Sequence, residues 1–379
     1  GEADLEWILH RNCEGTEQLQ SKNEKESDME NKKYEYWLHR MPEAGNRTIR
    51  ELLRRYHTPF EVYGAVRRRS KGVLEVLTET RMDEAAEYTR SYDLNREYEE
   101  LLQKGIRFLT AEDEDYPQRL RKIPSAPYAL YVLGKLPPEN LPAVAMIGAR
   151  ECSEYGIYVA KNFAKELGAH GIPVISGMAR GIDRDAHMGC LEAGGNTYAV
   201  LGSGADTCYP KENRFLYDKI KVFGGIISEL MPGTDPQKMF FPMRNRIISG
   251  LSDIVVIVEA KKRSGSLITA DFAMEQGKDV YVIPGRVTDT LSYGCNSLIK
   301  QGAGIIYNID EFVSDITMTG FTECTQMDFR KNLLDKKEAL VYSLLDFCPI
   351  AIGTLSQKVP YELSELFEVL ENLIQKGFG

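Results

Sequence analysis

Seven short apolar segments alternate with amphipathic segments between residues 143 and 307 of the chain. The apolar segments are too short for typical helices, whereas the longer ones between them repeat apolar residues at helical spacing. The apolar segments are Ala143–Ile147, Ile172–Ser176, Thr197–Leu201, Gly225–Ser228, Ile254–Val258, Asp279–Ile283 and Gly304–Tyr307, and the helical segments include Tyr155–Gly168, Arg184–Ala193, Asn213–Val222 and Ser266–Gln276. This alternation predicts an α/β domain with a Rossmann-like, doubly wound and mostly parallel sheet.

Helical patterns flank this domain on both sides. Apolar residues recur at helical spacing from Tyr34 to about Thr80, and a longer helix is predicted over Asp83–Lys104, where Gly105 ends it. One apolar stretch, Tyr128–Leu133, predicts a further strand in a Pro-rich lead-in. Three helices are predicted near the C-terminus, at Lys336–Leu345, Ile352–Lys358 and Glu362–Gly377.

Four regions are therefore expected. They are a disordered leader over 1–33, a helical domain of the SAM or helix-hairpin-helix type over 34–110, the α/β domain over 111–320 and a winged-helix-like domain over 328–379. A polar, Thr-rich connector is expected after Asp310. Met29 resembles a natural start, which leaves open whether residues 1–28 are native.

Composition narrows the class of protein. The chain has 379 residues, of which 43% are hydrophobic and 27% charged, which suits globular domains. No apolar run approaches the roughly 18 residues of a membrane span, and the first residues do not form a secretory signal. The seven cysteines are scattered without a C-x-x-C pair, which indicates free thiols in the cytoplasm and no zinc site. The net charge of −9 argues against a protein that coats nucleic acid over its whole surface.

The loops after the predicted strands carry small residues and isolated cations. Because the carboxyl ends of parallel strands share one sheet edge, these loops are expected to form an anion site there. Arg150, Lys211 and Arg263 supply full charges. The candidate contacts in these loops are Gly148, Arg150, Gly177, Ser203, Lys211, Asn213, Arg263, Ser264, Gly265 and Ser266.

A second group of candidates lies at a predicted helix start: Arg244, Asn245 and Arg246. Two residues apart on a helix, the two arginines point in different directions, so one is expected to bind a ligand while the other packs internally. The preceding pair Phe240-Phe241 is interpreted as core.

Other chemistries find less support. The G-x-G-x-x-G fingerprint of dinucleotide-binding proteins and the Walker pattern are both absent. Asp183 and His187 lie one helical turn apart, but Cys190 is the only further metal ligand nearby, so we interpret Asp183 as a helix N-cap and His187 as held by a local hydrogen bond. We expect no metal and no cofactor.

Longer motifs occur in a fixed order over about 143–312. They are Gly148-Ala149-Arg150, Gly181-Ile182-Asp183 with Ala186-His187, Tyr209-Pro210 with Asn213, Ser228-Glu229, Phe241-Pro242-x-Arg244-Asn245-Arg246-Ile247-Ile248-Ser249-Gly250-Leu251-Ser252, Glu259-Ala260, Ser264-Gly265-Ser266-Leu267-Ile268-Thr269-Ala270 and Pro284-Gly285. This series closely resembles the DprA/Smf family, bacterial DNA-processing proteins of natural transformation. Residues 34–80 and 331–379 resemble the family's N-terminal helical and C-terminal winged-helix-type domains.

The resemblance implies a protein without enzymatic activity. Family members bind single-stranded DNA in a basic pocket, self-associate as dimers and help to load the recombinase RecA. By position, Arg150 matches the family's strand-binding arginine and Lys211 its pocket lysine, while Arg244 and Arg246 belong to its most recognisable motif.

Two further expectations concern a rival enzymatic function and the surface through which the chain forms a dimer. The rival function is a nucleotide-cleaving phosphoribohydrolase on a related fold, which would need a glutamate three residues after Thr269, where this chain has Phe272. For the dimer, we expect an apolar patch of Leu298, Ile299 and Ile305 near the last strand.

Overall fold

The computed structural model describes residues 29–42, 44–318, 337, 341, 352–356, 359–361 and 363–375. Within them, nine strands form one sheet, in the order β1-β2-β6-β5-β4-β3-β7-β8-β9. The strands are β1 (Arg107–Thr110), β2 (Ala129–Gly134), β3 (Val144–Ile147), β4 (Val174–Ser176), β5 (Thr197–Val200), β6 (Gly224–Ser228), β7 (Ile254–Ile257), β8 (Asp279–Val282) and β9 (Gly304–Ile305). All seven strands predicted over 143–307 are present.

Seven strands, β3 to β9, run parallel, whereas β1 and β2 pair antiparallel at one side of the sheet. The mostly parallel, doubly wound arrangement is confirmed. The strand predicted at Tyr128–Leu133 is β2. The boundary predicted between residues 110 and 111 is wrong, because β1 lies before it and pairs with β2 in the α/β sheet.

Helices cover both faces of the sheet. The helices of the α/β domain are α7 (Gln118–Arg121), α8 (Glu154–Ala169), α9 (Ile182–Glu192), α10 (Arg214–Phe223), α11 (Phe240–Leu251), α12 (Gly265–Glu275), α13 (Tyr293–Lys300) and α14 (Ile309–Met318). Side chains alternate along β3, so Ala145 and Ile147 pack with α11 and α12, while Val144 and Met146 pack with α8 and α9. The connector predicted after Asp310 is wrong for its first part, because α14 buries Val313 and Ile316 against the second of these layers.

In the described part of the chain before β1, six helices are present. Residues 29–40 form α1, followed by α2 (Asn46–Tyr56), α3 (Pro59–Arg67), α4 (Lys71–Leu74), α5 (Glu79–Ser91) and α6 (Leu94–Gln103). The predicted leader overlaps α1 by five residues, and Lys32 in this overlap forms ion pairs with Glu35 and Asp113. The single helix predicted over Asp83–Lys104 is two helices, since Asp93 accepts hydrogen bonds from the backbone N–H groups of Asn95 and Arg96 and begins α6.

The described residues beyond 321 belong to a separate compact unit. It contains α15 (Ile352–Ser356) and α16 (Leu363–Gln375), whose apolar residues cluster with Val341. Residues 1–28 of the leader predicted over 1–33 lie outside the described residues, as does most of the helix predicted at Lys336–Leu345. The winged-helix arrangement stays a prediction. No helix in the part of the chain that the structure describes is long and apolar enough to cross a membrane.

Candidate functional site

A cleft of about 590 Å³ opens at the carboxyl edge of the parallel strands. The loops after β3 and β7 form its sides, and the first turns of α11 and α12 complete it. Its lining includes Gly148, Arg150, Tyr209, Lys238, Phe241, Asn245, Lys261, Arg263, Ser264, Gly265 and Ser266. The predicted meeting of strand-end loops therefore occurs, and it produces one concave site.

Four cations line this cleft, which we call the rim cations: Arg150, Lys238, Lys261 and Arg263. All four are exposed. Two acidic residues, Glu151 and Asp183, also line the cleft, and Lys261 forms an ion pair of 3.2 Å with Glu151. The balance of charge is positive, in a chain whose net charge is −9. The cleft therefore favours an anion.

An aromatic wall stands beside the rim cations. The guanidinium carbon of Arg150 lies 5.2 Å from the ring centroid of Phe241, and the Tyr209 and Phe241 rings are 5.6 Å apart. Tyr209 is exposed and Phe241 half-buried. The interpretation of Phe241 as core is therefore wrong, because one side of the ring is left to the cleft. Flat apolar surface beside cations suits a ligand that carries both rings and phosphates.

The N-terminus of α12 supplies the anion-binding backbone of the cleft. Ser264 caps this helix by accepting a hydrogen bond from the N–H of Ser266, and Asn245 donates its side-chain N–H to the carbonyl of Gly265 at 3.2 Å. These contacts fix the loop so that the first turn of an 11-residue helix faces the cleft. The partial positive charge of a helix start reinforces the rim cations.

Glu259 fixes the opposite wall. Its carboxylate is buried and accepts hydrogen bonds from the N–H and the hydroxyl of Ser153, the N-cap of α8. A Cβ on Gly156 would overlap this carboxylate, so a larger residue there would displace the Glu259 side chain. The pair orients the segment from Gly148 to Ser153, which carries Arg150.

Arg244 lies beneath the cleft and is buried. Its Nη1 donates to the carbonyls of Gly177, at 2.8 Å, and Val200, and its Nε donates to Asn245 at 3.2 Å. Burial lowers the pKa of Arg244 to about 10. Because this value is still well above 7, the side chain stays charged at neutral pH. A Cβ on Gly177 would overlap the guanidinium. Arg244 therefore ties the ends of β4 and β5 together.

Arg246 points away from the cleft. Its Nη2 donates to both carboxylate oxygens of Glu229, at 2.6 and 2.7 Å, and both side chains are about nine-tenths buried. Glu229 follows β6 and also accepts from the side chain of Asn46 on α2 at 2.6 Å. This pair joins α11 to the helical domain.

Asp183 and His187 are held by partners outside their own helix start. Asp183 accepts a hydrogen bond from the N–H of Gly177 at 3.1 Å, so its interpretation as the N-cap of α9 is wrong; Gly181 holds that position. Nδ1 of His187 lies 2.6 Å from the hydroxyl of Thr197. Burial, with a smaller effect of the Arg244 charge, lowers the pKa of His187 to about 3. No group of three or more potential metal ligands occurs among the residues that the structure describes.

Comparison with known proteins agrees with this geometry. The family model for DNA recombination-mediator protein A matches residues 107–317, more than half of the chain. The chain belongs to this family. The DNA processing protein DprA of Streptococcus pneumoniae is 46% identical over 194 residues, which cover 51% of this chain and 68% of that protein. Protein Smf of Synechocystis is 40% identical over 222 residues.

Two solved structures are also similar. The X-ray structure of DprA from S. pneumoniae superposes with a TM-score of 0.64 at 34% identity and covers 75% of this chain and 97% of that one. DprA from Helicobacter pylori, a structure that concerns its single-stranded DNA binding mode, has a TM-score of 0.51 at 29% identity and covers 56% and 97%. The aligned part of this chain spans 56% of the Synechocystis protein.

The recombination-mediator fold brings together about half of the predicted contacts. Gly148, Arg150, Asn245, Arg263, Ser264, Gly265 and Ser266 line the cleft. Gly177, Ser203 and Asn213 do not line it; the side chain of Asn213 donates to the carbonyl of Met178 at 2.9 Å and that of Ser203 to the carbonyl of Thr207 at 2.8 Å. Lys211 is exposed and lies outside the lining.

Lys238, Lys261, Tyr209 and Phe241 are cleft residues that the sequence argument did not select. Lys238 lies in the loop before α11, three residues ahead of Phe241, in a segment without helical or strand periodicity. The one sequence feature that could have selected Lys238 as a cleft residue is its position shortly before Phe241.

The three residues predicted to form a dimer patch are not all exposed. Leu298 is buried in the sheet core and Ile299 is half-buried against it. Leu298 is therefore wrong as an interface residue. Ile305 is 39% exposed on β9, which is the last strand of the sheet, while its neighbour Ile306 is buried.

Proposed function

We propose that this chain binds single-stranded DNA in the cleft. The observation that carries the proposal is the stack of Arg150 on Phe241 beside the start of α12. The cations and the helix start suit the phosphates of a strand, and the aromatic wall suits an unpaired base. The proposal is supported by the similarity to the H. pylori protein, whose structure concerns single-stranded DNA binding.

A strand suits the cleft better than a duplex does. In a duplex the bases are stacked on one another, so their faces are not available to the Phe241 and Tyr209 rings. The rim cations are also few, which limits the number of phosphates that the cleft contacts. A duplex would gain only the electrostatic part of the interaction.

Fluorescence anisotropy with labelled oligo-dT and with a duplex of equal length tests the proposal. We expect tighter binding to oligo-dT, with a salt slope of about −0.7 for each phosphate neutralised. Phe241→Leu should reduce the preference for the single strand, because it keeps an apolar wall but removes the ring. Equal or tighter binding to duplex would contradict the proposal.

We infer the biological role from the family to which the chain belongs. We propose that the protein protects incoming single strands in the cytoplasm during natural transformation and loads RecA onto them. The names of the relatives, a recombination mediator and DNA processing proteins, support this role. Purified RecA and strands covered by single-strand-binding protein test it: the chain should shorten the lag of RecA filament assembly, and an unchanged lag would contradict it.

We further propose that the protein is not an enzyme. Thr269 lies in the cleft, but the position three residues later on α12 is Phe272, so the glutamate of a phosphoribohydrolase is missing there. Incubation with AMP should release no adenine. Release that depends on the cleft would favour the rival function.

Self-association through the end of the sheet is also proposed. Among the described residues, no strand pairs with the outer edge of β9, which exposes Ile305. A two-fold contact would pair this edge with its copy. Ile305→Arg should give a folded monomer by light scattering, with weaker binding to long strands. Val287→Arg is the matched control, since Val287 is exposed but lies outside β9. A dimer that persists in the Ile305 variant would contradict the proposed surface.

A further inference from the structure

A second basic pocket lies where the helical domain meets the α/β domain. It has a volume of about 390 Å³ and is lined by α2, by the segment Pro124–Ala126 and by Arg246 of α11. Four of its lining residues are arginines: Arg47, Arg50, Arg54 and Arg246. We call it the arginine pocket.

Three of these arginines share one face of α2. Arg47, Arg50 and Arg54 are separated by three and four residues, the spacing that places side chains on the same side of a helix. All three are exposed, although like charges at this spacing repel one another. Arg50 donates to the carbonyl of Ala126 at 2.5 Å, which directs its guanidinium toward the pocket wall.

The acidic groups nearby do not neutralise this face. Glu51 is the acidic residue in the lining, and it pairs with Arg54 at 2.7 Å on the exposed surface. Glu229 pairs with Arg246 from behind the wall. Two of the four arginines thus have an acidic partner in the described structure, and the pocket keeps a net positive charge.

Arg246 has unused hydrogen-bonding capacity. Its Nη2 makes both bonds to Glu229, while its Nη1 is buried and has no hydrogen-bond partner among the described residues. A buried guanidinium N–H without an acceptor is unfavourable, so an acceptor oxygen supplied by a ligand would lower the free energy. A phosphate has the geometry to accept from several arginines at once.

We propose that the arginine pocket binds a phosphate group. Arg47, Arg50 and Arg54 contact it from α2, and Arg246 contacts it from α11. The ligand chemistry is a phosphate oxygen anion, from the backbone of a DNA strand or from a free phosphate compound. If the source is the strand, the inference rests on the proposed function and extends it.

The position of the pocket favours the strand. On α11, Phe241, Asn245 and Ile248 face the cleft, while Arg246 faces the arginine pocket, so one helix separates the two sites. Glu229, the partner of Arg246, follows β6, which is parallel to β3 and ends at the same sheet edge as the cleft. β6 and β3 are three strand spacings apart, about 14 Å. A strand that leaves the cleft along this edge reaches the pocket within a few nucleotides.

The test compares oligo-dT of about 4 nucleotides, which is too short to occupy the cleft and the arginine pocket together, with oligo-dT of about 30 nucleotides. Arg47→Ala/Arg54→Ala should weaken binding of the long oligonucleotide by about tenfold and reduce its salt slope by about 0.7, the value for one neutralised phosphate. Binding of the short one should change by less than about twofold. Arg67→Ala/Arg90→Ala is the charge-matched control, because both residues are exposed on the helical domain away from the pocket lining.

A second arm does not depend on DNA binding. Thermal unfolding is followed in inorganic phosphate and in chloride at equal ionic strength, with Arg150→Ala in every protein so that the cleft contributes less. Phosphate should raise the Tm of the Arg150→Ala protein and of the control by more than that of the protein that also carries Arg47→Ala/Arg54→Ala. A phosphate effect without a length effect would support the pocket and identify a free phosphate compound as its ligand.

Two results would overturn the proposal. One is an Arg47/Arg54 variant that loses no more affinity for the long oligonucleotide than the control and keeps the full phosphate shift. The other is the absence of any phosphate shift together with equal losses for both oligonucleotides. If neither oligonucleotide binds, the proposed function fails, and the phosphate arm alone decides on the pocket.

Discussion

The rim cations and the two buried arginines, Arg244 and Arg246, lie near the same edge of the sheet, but the first are exposed to solvent and the second are enclosed by protein. Arg150 is exposed and rests on an aromatic ring, whereas Arg244 and Arg246 are each 7% exposed and bound to carbonyl or carboxylate oxygens of the protein. Arg244 holds the ends of β4 and β5 together, and Nη2 of Arg246 holds α11 to Glu229. The exposed cation keeps its charge for a ligand. Arginine therefore stabilises the structure around the site where it is buried and is available to bind a ligand where it is exposed.

Energies make this contrast measurable. Removal of one partner from a buried ion pair costs about 3–5 kcal/mol, whereas an exposed pair contributes about 0–1 kcal/mol to the free energy of unfolding. Buried arginines of this site should therefore affect stability first. Rim cations should affect affinity and leave stability unchanged.

The largest effect is expected for Arg246→Ala. Among the described residues, it leaves the buried carboxylate of Glu229 with the Asn46 amide as its one hydrogen-bond donor, and it should lower the free energy of unfolding by about 3–5 kcal/mol. Urea unfolding measures this loss. The double variant Arg246→Met/Glu229→Leu is the control, since replacing both charges should restore much of the stability. Wild-type stability in Arg246→Ala would place Arg246 with the rim cations.

Arg150→Ala should show the opposite behaviour. Loss of one charge-assisted contact costs about 1.5–3 kcal/mol of binding, or roughly tenfold to a hundredfold in affinity for oligo-dT. The midpoint of urea unfolding should not move, because the guanidinium is exposed. Arg184→Ala, an exposed arginine outside the cleft lining, is the control. An Arg150 variant that unfolds more easily but binds normally would reverse the comparison.

Titration of His187 sharpens the comparison from the buried side. The pKa of His187 is lowered to about 3 from an ordinary value of 6.5. A lowered histidine pKa means that the unfolded chain takes up the proton first, so stability is complete above pH 6.5 and falls as the pH drops toward 3. From pH 7 to pH 5 the loss from this residue should be about 2 kcal/mol.

Urea unfolding at the two pH values measures this loss. His187→Gln should lose about 2 kcal/mol less than the wild type over the same interval, whatever its own stability at pH 7. The result that matters is the difference between the stability lost by the wild type and the stability lost by the variant from pH 7 to pH 5. An identical pH dependence in both proteins would show that His187 accepts a proton in the folded state.

The fold could be predicted from local pattern because its parallel strands are short apolar runs between amphipathic helices. β1 and α14 were missed because their local sequence lacks such a clear pattern. Arg107–Thr110 is a four-residue strand directly after the helical region, and Ile309–Met318 mixes its apolar residues with acidic and hydroxyl side chains. Their burial depends on β2 and on α8, which local sequence does not specify.

The sequence predicted which loops form the site, but it did not predict in which direction their side chains point. Strand-end loops meet in any parallel sheet, so Arg150 and Ser264–Ser266 could be placed together. The direction of Arg246 depends on Glu229, which is 17 residues earlier and approaches only in the fold. Helical geometry predicted correctly that Arg244 and Arg246 diverge, but neither reaches the cleft.

Lys211 provides the smallest and most specific test. It begins a single-turn 3₁₀ segment two residues after Tyr209, is exposed and does not line the cleft. The sequence placed it beside Arg150, but the structure leaves it to act on a strand only through solvent, where screening limits a charge to about 0–1 kcal/mol. Lys211→Ala should therefore weaken oligo-dT binding by less than about fivefold, and Lys238→Ala, within the cleft, by more. Anisotropy on both variants at two salt concentrations decides the order. If Lys211→Ala has the larger effect, the bound strand must run past Tyr209 and Lys211 after it leaves the cleft.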